Sequence, residues 1–182
     1  MRAKRSPGFS LLELLIVIVV VGLLLAIAVE RLLKVRFEAE RAMVQSVMSA
    51  LRSALYIEFA AAATSGRLAR LDSAAGSNPM ALLAERPDTY AGEFFGADPK
   101  LFEPGTWYFD TRDRTLVYMV RFPERFVSAL GGPPRARLKV EPDYDDLDRN
   151  GRFDAGRDPV RGLKLVPVEA FYWKTEGGGK PT

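Results

Sequence analysis

Residues 9–29 form an almost uninterrupted apolar run, FSLLELLIVIVVVGLLLAIAV, which constrains the fold more than any other feature of the sequence. Eighteen of its 21 residues are hydrophobic, and the exceptions are Ser10, Glu13 and Gly22. As a helix the run is about 30 Å long, which matches the hydrocarbon core of a membrane. Three cationic residues precede it, and the positive-inside bias predicts that this end stays in the cytoplasm. We therefore expect a membrane-spanning helix.

Two ordinary explanations of this run are a cleaved secretory signal peptide and a plain signal anchor. The run is longer than the apolar region of a typical signal peptide, and no clear small-x-small cleavage site follows it. After Val29 the chain continues into the helix-forming segment 30–34, which favours a longer helix. A plain anchor does not explain Glu13, because a carboxylate inside hydrocarbon is costly unless it has a partner.

The segment GFSLLE at residues 8–13, after a short basic leader and before the apolar run, resembles the class III signal of type IV pilins and type II secretion pseudopilins. In that family a prepilin peptidase cuts after the glycine on the cytoplasmic face and methylates the new N-terminal residue. The resemblance implies that residues 1–8 are a leader peptide, cut between Gly8 and Phe9, and that Phe9 is N-methylated. Many members carry a proline near the end of the apolar run, whereas residues 9–62 contain none, so an unkinked helix is expected.

Glu13 is the residue for which the resemblance implies a role in assembly. Cleavage creates an α-amine at Phe9, close to the membrane face. When subunits stack with a short axial offset, the Glu13 carboxylate of one subunit can meet the amine of its neighbour. That pairing neutralises both charges in a dry environment and fixes the axial register.

The resemblance also implies partners and a location. The expected partners are prepilin peptidase, other pseudopilin subunits in homo- or hetero-filaments, the inner-membrane assembly platform and membrane lipid. The expected location is the bacterial inner membrane, with a single pass and the head in the periplasm. A type II secretion pseudopilin is favoured, because the chain lacks the cysteine pair of many adhesive pilins and has a candidate calcium loop. The alternatives are a minor pilin of a type IV pilus or DNA-uptake filament, and a signal-anchored periplasmic binding or enzymatic domain.

Helical periodicity continues beyond the membrane, and residues 30–62 are predicted to form an amphipathic helix that covers a globular head. With the apolar run they predict one helix from about residue 10 to about residue 62, ended by Thr64, Ser65 and Gly66. Charged residues, Glu40 among them, are assigned to its other faces. A heptad dimer is disfavoured because the apolar spacing drifts from strict a/d positions. The apolar stripe consists of Val35, Ala39, Met43, Val47, Ala50, Leu51, Ala54 and Leu55.

Residues 63–182 are predicted to form a periplasmic α+β head. Residues 66–105 are expected to be a loop with short helical turns at 67–71 and 79–85. The predicted fold class is therefore α+β and pilin-like, a long N-terminal helix packed on a small antiparallel sheet. Four strands are predicted, at residues 106–110, 115–122, 136–141 and 163–173, the last interrupted at Pro167.

Residues 143–158, DYDDLDRNGRFDAGRD, are called the acidic loop here. Part of this loop reads D-x-D-x-N-G-x-φ-D, which resembles the start of a calcium loop of the EF-hand or dockerin type. Oxygen ligands at alternate positions converge when the chain curls around a hard cation, with Gly151 at the sharp turn and Phe153 as an anchor. The predicted Ca²⁺ ligands are Asp146, Asp148, Asn150, the carbonyl of Arg152, Asp154 and Asp158.

Alternatives to this ligand set remain open. Arg157 stands at the twelfth loop position, where an EF-hand has a bidentate carboxylate, so Asp158 would close a loop one residue longer. Asp143 and Asp145 are alternative ligands. A plain turn neutralised by its arginines is the other interpretation, although six aspartates in one loop repel one another unless a cation intervenes.

Composition excludes most catalytic arrangements. The 182 residues include no cysteine and no histidine, which excludes a cysteine zinc site, a disulfide, a cysteine nucleophile and a Ser-His-Asp triad. Carboxylate pairs such as Asp110 with Asp113 or Glu103 lie in or beside a predicted hairpin turn, so we do not expect an enzyme. The formal charge is +3, from 26 basic and 23 acidic residues, and three of the basic residues lie in the leader, so no nucleic-acid partner is expected.

Overall fold

The computed structural model describes residues 9–66, 74–154 and 157–174, leaving aside the side chains of residues 33 and 34. The chain forms two compact units, Met1–Ala39 and Glu40–Thr182. Short 3-10 turns lie at Pro79–Leu82, Pro99–Leu101 and Pro123–Arg125. The main elements in chain order are helix α1 (Leu11–Thr64) and strands β1 (Tyr90–Phe94), β2 (Trp107–Asp110), β3 (Thr115–Met119), β4 (Phe126–Ser128), β5 (Arg135–Tyr144), β6 (Val160–Pro167) and β7 (Phe171–Trp173).

Both ends of α1 are capped by local hydrogen bonds. At the start, the backbone N–H of Glu13 donates to Ser10 Oγ at 3.2 Å, which satisfies one of the free amides of the first turn. At the end, the Ser65 hydroxyl donates to the Ala61 carbonyl at 2.7 Å, and Gly66 takes a positive φ of 68°. The long helix predicted from about residue 10 to about residue 62, with its stop at residues 64–66, is confirmed to within two residues.

The first unit presents an apolar helical surface. From Phe9 to Val29 every large hydrophobic side chain is exposed. By length and composition, α1 contains one helical stretch apolar enough to cross a membrane. Its apolar residues surround the helix instead of lying on one side, and none of this window is buried within the protein. Such a surface needs a partner outside the chain, because exposed apolar area is costly in water.

The second unit contains a five-stranded sheet in the order β1-β2-β3-β5-β6, and a separate pair, β4-β7. Strand β1 runs parallel to β2, and the other neighbours are antiparallel. The β2–β3–β5 register places Trp107 opposite Tyr118, and Tyr118 opposite Ala136. The α+β class, a long N-terminal helix followed by a small, mostly antiparallel sheet, is confirmed.

The main core lies between α1 and one face of this sheet. Val44, Leu51 and Leu55 supply the helix side of the core, and each is at most 1% exposed. The burial of apolar side chains in such a core supplies most of the stability of a small domain. The sheet side and the adjoining turn contribute Met80, Trp107, Phe109, Leu116, Tyr118, Val120, Ala136, Leu138, Val140 and Leu165.

The buried face of α1 differs from the predicted stripe. Val44, which the prediction left out, is buried, and Glu40 is only 5% exposed although it was assigned to another face. Successive helical residues turn by about 100°, so residues 44, 51 and 55 share a face that Met43 does not. Of the predicted stripe, Leu51 and Leu55 are buried, Val47 and Ala54 partly buried, and Val35, Ala39, Met43 and Ala50 exposed.

The prediction of four strands was incomplete. Strand β1 lies inside the segment predicted as a loop, and β4 was also missed. Strand β1 is short, contains Gly92 and pairs in parallel with the next strand, β2, instead of forming a hairpin with it, so its own sequence gives little signal. The strand predicted at 163–173 is two strands: Pro167 ends β6, and β7 pairs with β4 instead. The turn predicted at 79–85 is confirmed as a 3-10 turn, whereas the one at 67–71 lies outside the described residues.

Candidate functional site

The N-terminal segment carries the predicted processing and assembly residues. Gly8 lies outside the described residues. Phe9 precedes α1 and is 71% exposed, and Glu13 lies exposed in the first turn. Ser10 and Glu13 have the spacing of a capping box, and the Ser10 hydroxyl accepts the Glu13 N–H. A carboxylate in the first turn is also favoured by the helix dipole.

The Glu13 carboxylate has no hydrogen-bond or ion-pair partner within the described part of the chain. It is exposed among the apolar side chains of Leu12 and Leu14, so it sits on the surface that is most costly to leave in water. In hydrocarbon an unpaired carboxylate is costly too, and a cationic partner from outside the chain would remove that cost. This geometry leaves the Glu13 carboxylate able to pair with a cation from outside the chain.

The acidic loop joins β5 to β6 and is held by side-chain oxygens that accept backbone N–H groups. Asp146 Oδ1 accepts from the N–H of Asn150 at 3.1 Å, and Asp146 Oδ2 accepts from the N–H of Gly151 at 2.8 Å. The Gly151 amide holds the pKa of Asp146 below its ordinary value, since its hydrogen bond favours the charged form. Gly151 has a positive φ of 75°, as the predicted sharp turn requires.

Asp158 closes this loop. It is only 4% exposed, and its two oxygens accept the N–H groups of Leu147 at 3.2 Å and Asp154 at 2.9 Å. Asp154 in turn accepts from Asn150 Nδ2 at 2.7 Å. The Phe153 ring lies 5.1 Å from the Tyr144 ring, so it anchors the loop to the end of β5 and not to the core as predicted.

The remaining predicted ligands also have partners within the loop. Asp148 Oδ2 forms an ion pair with Arg157 at 3.2 Å, and the Arg152 N–H donates to Asn150 Oδ1 at 2.7 Å. In the described ranges, which lack residues 155 and 156, no three acidic, histidine or cysteine side chains are grouped to hold a metal ion. The oxygen donors suit Ca²⁺ in type, but here they face N–H groups. Calcium binding therefore stays a prediction.

Two of the carboxylates considered for catalysis, Asp110 and Asp113, have structural contacts. Asp110 is 6% exposed, and its Oδ1 accepts the N–H groups of Gly96 and Arg112, each at 2.9 Å. Asp113 lies 3.5 Å from Arg137. Asp110 thus fixes the β2–β3 turn to the segment after β1.

Glu40 is the buried polar site that the sequence analysis missed. Its Oε1 accepts the Tyr118 hydroxyl at 2.8 Å and the Arg121 N–H at 2.6 Å, and its Oε2 accepts the Phe122 N–H at 3.0 Å. These three donors satisfy a carboxylate that is removed from water. Burial, and then the bond to Glu40, raise the pKa of Tyr118 far above the ordinary tyrosine value.

One signal could have found Glu40 in the sequence. It lies four residues before Val44 and eleven before Leu51, so a helix places it on the same face. A charged residue in phase with a buried stripe is unusual and implies a partner. The identity of the three donors, which lie about 80 residues later in the chain, depended on the tertiary structure.

Comparisons with known proteins concern parts of the chain. The prokaryotic N-terminal methylation motif matches residues 3–29. The chain is similar to a protein of Thermus thermophilus, the type IV narrow pilus major component PilA5, with 49% identity over 53 residues. That match covers 29% of this chain and 46% of the relative, so it spans about half of the relative's length. No solved structure matches this chain.

We predict that Glu40→Ala lowers the free energy of unfolding by about 3 kcal/mol, because the Tyr118 hydroxyl and two backbone amides lose their acceptor. Glu40→Gln keeps one acceptor oxygen and should cost about half as much. Denaturant unfolding of the full chain in detergent, followed by tryptophan fluorescence, measures both losses. The control is Glu58→Ala, exposed on the same helix and expected to change stability by less than about 0.5 kcal/mol. Equal stability of the Glu40→Ala and Glu58→Ala variants would contradict the anchoring role.

Proposed function

We propose that the chain is a type IV pilin-like structural filament subunit, which prepilin peptidase processes and an inner-membrane platform assembles. The main support for this function is the methylation motif at residues 3–29, which overlaps the start of a helix whose apolar side chains are exposed. The proposed location is the inner membrane, with one pass and the head in the periplasm. In this role the chain transmits force along the filament and makes contacts with other subunits, and no chemical step is assigned to it.

Two environments would cover the apolar surface of the first unit in turn. Before assembly, lipid surrounds the segment from Phe9 to Val29, where the backbone amides beyond the first helical turn are already satisfied within the helix. In the filament, the same side chains pack against the helices of neighbouring subunits. Transfer between two apolar environments costs little free energy, so subunits can be stored in the membrane and withdrawn from it.

Processing would prepare the subunit for docking. Cleavage after Gly8 exposes an amine at Phe9, about one helical turn from Glu13. Within one subunit the Glu13 carboxylate is exposed, so the amine of a neighbour can approach it when the two helices are offset along the filament axis. A charge pair formed in a dry environment is strongly sensitive to geometry, and it would therefore select one offset.

Two systems are candidates for this filament, and different observations favour each. The acidic loop, together with the lack of cysteine in the sequence, favours a type II secretion pseudopilus, in which the growing filament drives protein export. The similarity to a type IV narrow pilus component favours a type IV pilus or DNA-uptake filament to the same degree. Both assignments share the processing and docking steps above.

We also propose that the acidic loop binds Ca²⁺ through Asp146, Asp148, Asn150, the backbone carbonyl of Arg152, Asp154 and Asp158. Calcium would supply positive charge to a loop that otherwise depends on arginines and N–H groups. Support comes from the closed path of the loop, in which Asp158 returns to the N–H groups of Leu147 and Asp154. Binding would break the hydrogen bonds to backbone N–H groups of those carboxylate oxygens that coordinate the ion.

For this site we predict that saturating calcium raises the melting temperature of the full chain by about 5 °C, and that Asp148→Ala removes most of the rise. Without calcium, the same substitution should have a small effect, since it removes an exposed ion pair with Arg157. Thermal unfolding with added calcium or with chelator measures this. The control is Asp113→Ala, outside the loop. Identical melting of the parent with calcium and with chelator would count against the metal.

For docking we predict that Glu13→Ala and Glu13→Gln each reduce the filament fraction at least tenfold, because a neutral side chain cannot pair with the N-terminal amine. Immunoblotting of sheared or pelleted filaments measures that fraction, and membrane levels of the protein report folding and insertion. Glu38→Ala, also an exposed glutamate on α1, serves as the control and should assemble normally. Normal assembly of both Glu13 variants would show that this carboxylate has no role in docking.

A deletion strain distinguishes the two systems. If the protein belongs to a secretion pseudopilus, we expect secreted proteins to be missing from the culture supernatant while surface pili and twitching persist. Loss of pili or of DNA uptake with a normal supernatant would assign it to a type IV pilus or uptake filament instead. Mass spectrometry of the mature protein is the accompanying control: an N-terminus that retains residues 1–8 would contradict processing, and with it both assignments.

A further inference from the structure

A cavity of ≈ 430 Å³ lies in the second unit, beside the half of β5 that extends past β3. Strand β3 pairs only with residues 135–138 of β5. Residues 140–144 therefore have β6 on one side and, within the described ranges, no strand on the other. The cavity occupies that open side, between the segment at Gly76, the β2–β3 turn and the acidic loop. A cavity of this size falls in the range that binds small ligands and short peptide segments.

The cavity is lined by an excess of basic side chains. Arg114, Lys139 and Arg152 come from three different parts of the unit, and Glu141 is the one acidic residue among the lining residues. Together the four side chains give the cavity a net charge of +2. No ion pair or side-chain hydrogen bond joins the three cations to any carboxylate in the described part of the chain. Their donors are therefore available to an anionic group.

Neighbouring cations differ from these three because they are paired. Arg161 lies 3.1 Å from Asp145, and Lys164 lies 3.7 Å from Asp143. Arg137 forms a two-point contact with Glu169. Among the residues that the structure describes, the sheet thus neutralises the cations around the cavity and leaves those that line it without carboxylate partners.

The backbone holds Arg114 in an unfavourable conformation. Its φ is +54°, in the left-handed region that costs energy for a residue with a side chain. Gly76 makes room for it, because a Cβ at that position would lie 2.9 Å from Arg114 Cδ. The Gly76 N–H also donates to the Val140 carbonyl at 2.9 Å, which fixes this wall of the cavity. Strain of this kind persists where the surrounding structure enforces it, and it is often found at functional sites.

The cavity also has an apolar wall. Tyr144 and Phe153 line the cavity with their rings 5.1 Å apart, and Pro142 lies beside them. An aromatic surface next to basic groups suits a ligand that combines carboxylates with an apolar side chain. An extended polyanion fits less well, because Glu141 lies inside the cavity and Asp143 continues the same face of β5.

We propose that this cavity binds a short acidic peptide segment of a partner protein. The carboxylates of the segment pair with Arg114, Lys139 and Arg152, and an apolar side chain packs on Tyr144 and Phe153. Every residue involved belongs to the second unit, so the site does not depend on which filament system contains the protein. It gives the head a recognition surface separate from the assembly helix.

The test is fluorescence anisotropy on the full chain in detergent. The probe is a short fluorescein-labelled peptide in which glutamate and aspartate flank one phenylalanine. A matched peptide carries glutamine and asparagine, and a single-stranded DNA oligonucleotide of equal charge tests for general attraction to anions. We expect saturable binding of the acidic peptide that weakens with added salt, and binding at least tenfold weaker for the other two probes.

Two variants each remove one of the cations, and both are expected to fold. Lys139→Met keeps the aliphatic stem, and Arg114→Gly relieves the left-handed strain while it deletes the guanidinium. We expect each to weaken peptide binding at least fivefold, and Arg114→Gly to melt at the same or a higher temperature than the parent. The control is Arg149→Gly, which relieves a similar φ of +59° at a position outside the cavity and should bind normally.

Three results would overturn the site. One is the absence of saturable binding by the acidic peptide. Another is equal binding by the parent, Lys139→Met and Arg114→Gly when all are folded by their melting curves. The third is equal or tighter binding of the amide peptide or the oligonucleotide, which would show that carboxylate recognition is not the basis of binding.

Discussion

The buried carboxylate of Glu40 is the contact on which the packing of α1 against the sheet depends. Apolar contacts along Val44, Leu51 and Leu55 supply most of the burial, but such contacts tolerate small rotations and shifts. A carboxylate with three donors tolerates few, because each lost hydrogen bond leaves a buried polar group unsatisfied. Glu40 thus sets which face of the helix is buried, and it also holds the turn that follows β3.

The apolar surfaces of the two units are covered in different ways. The second unit covers its apolar face with the strands and turns of its own chain. In the first unit, helix side chains from Phe9 to Val29 are exposed and require lipid or other subunits. Under the function proposed above, this difference separates the two tasks of a filament subunit. The second unit keeps a stable fold, and the first unit exchanges lipid for the helices of neighbouring subunits.

The acidic loop and the neighbouring cavity show how one segment can serve two purposes. Asp146 and Asp158 satisfy backbone amides and give the loop a closed path. The same path places Phe153 against Tyr144 and so builds the apolar wall of the cavity. Sequence alone pointed to the aspartates, because their spacing is local. The cavity depends on Gly76 and Arg114, which are 38 residues apart and meet only in the fold.

The sequence by itself determined the features that depend on local spacing. These are the apolar run, the extent of α1, the β2–β3 hairpin and the acidic loop with its anchor. The tertiary structure decided what depends on contacts between distant residues: the parallel pairing of β1, the separation of β6 from β7, and the burial of Glu40. The physical reason is that a local pattern fixes periodicity and caps, whereas the face that is buried depends on the donors and apolar groups that the rest of the chain brings to it.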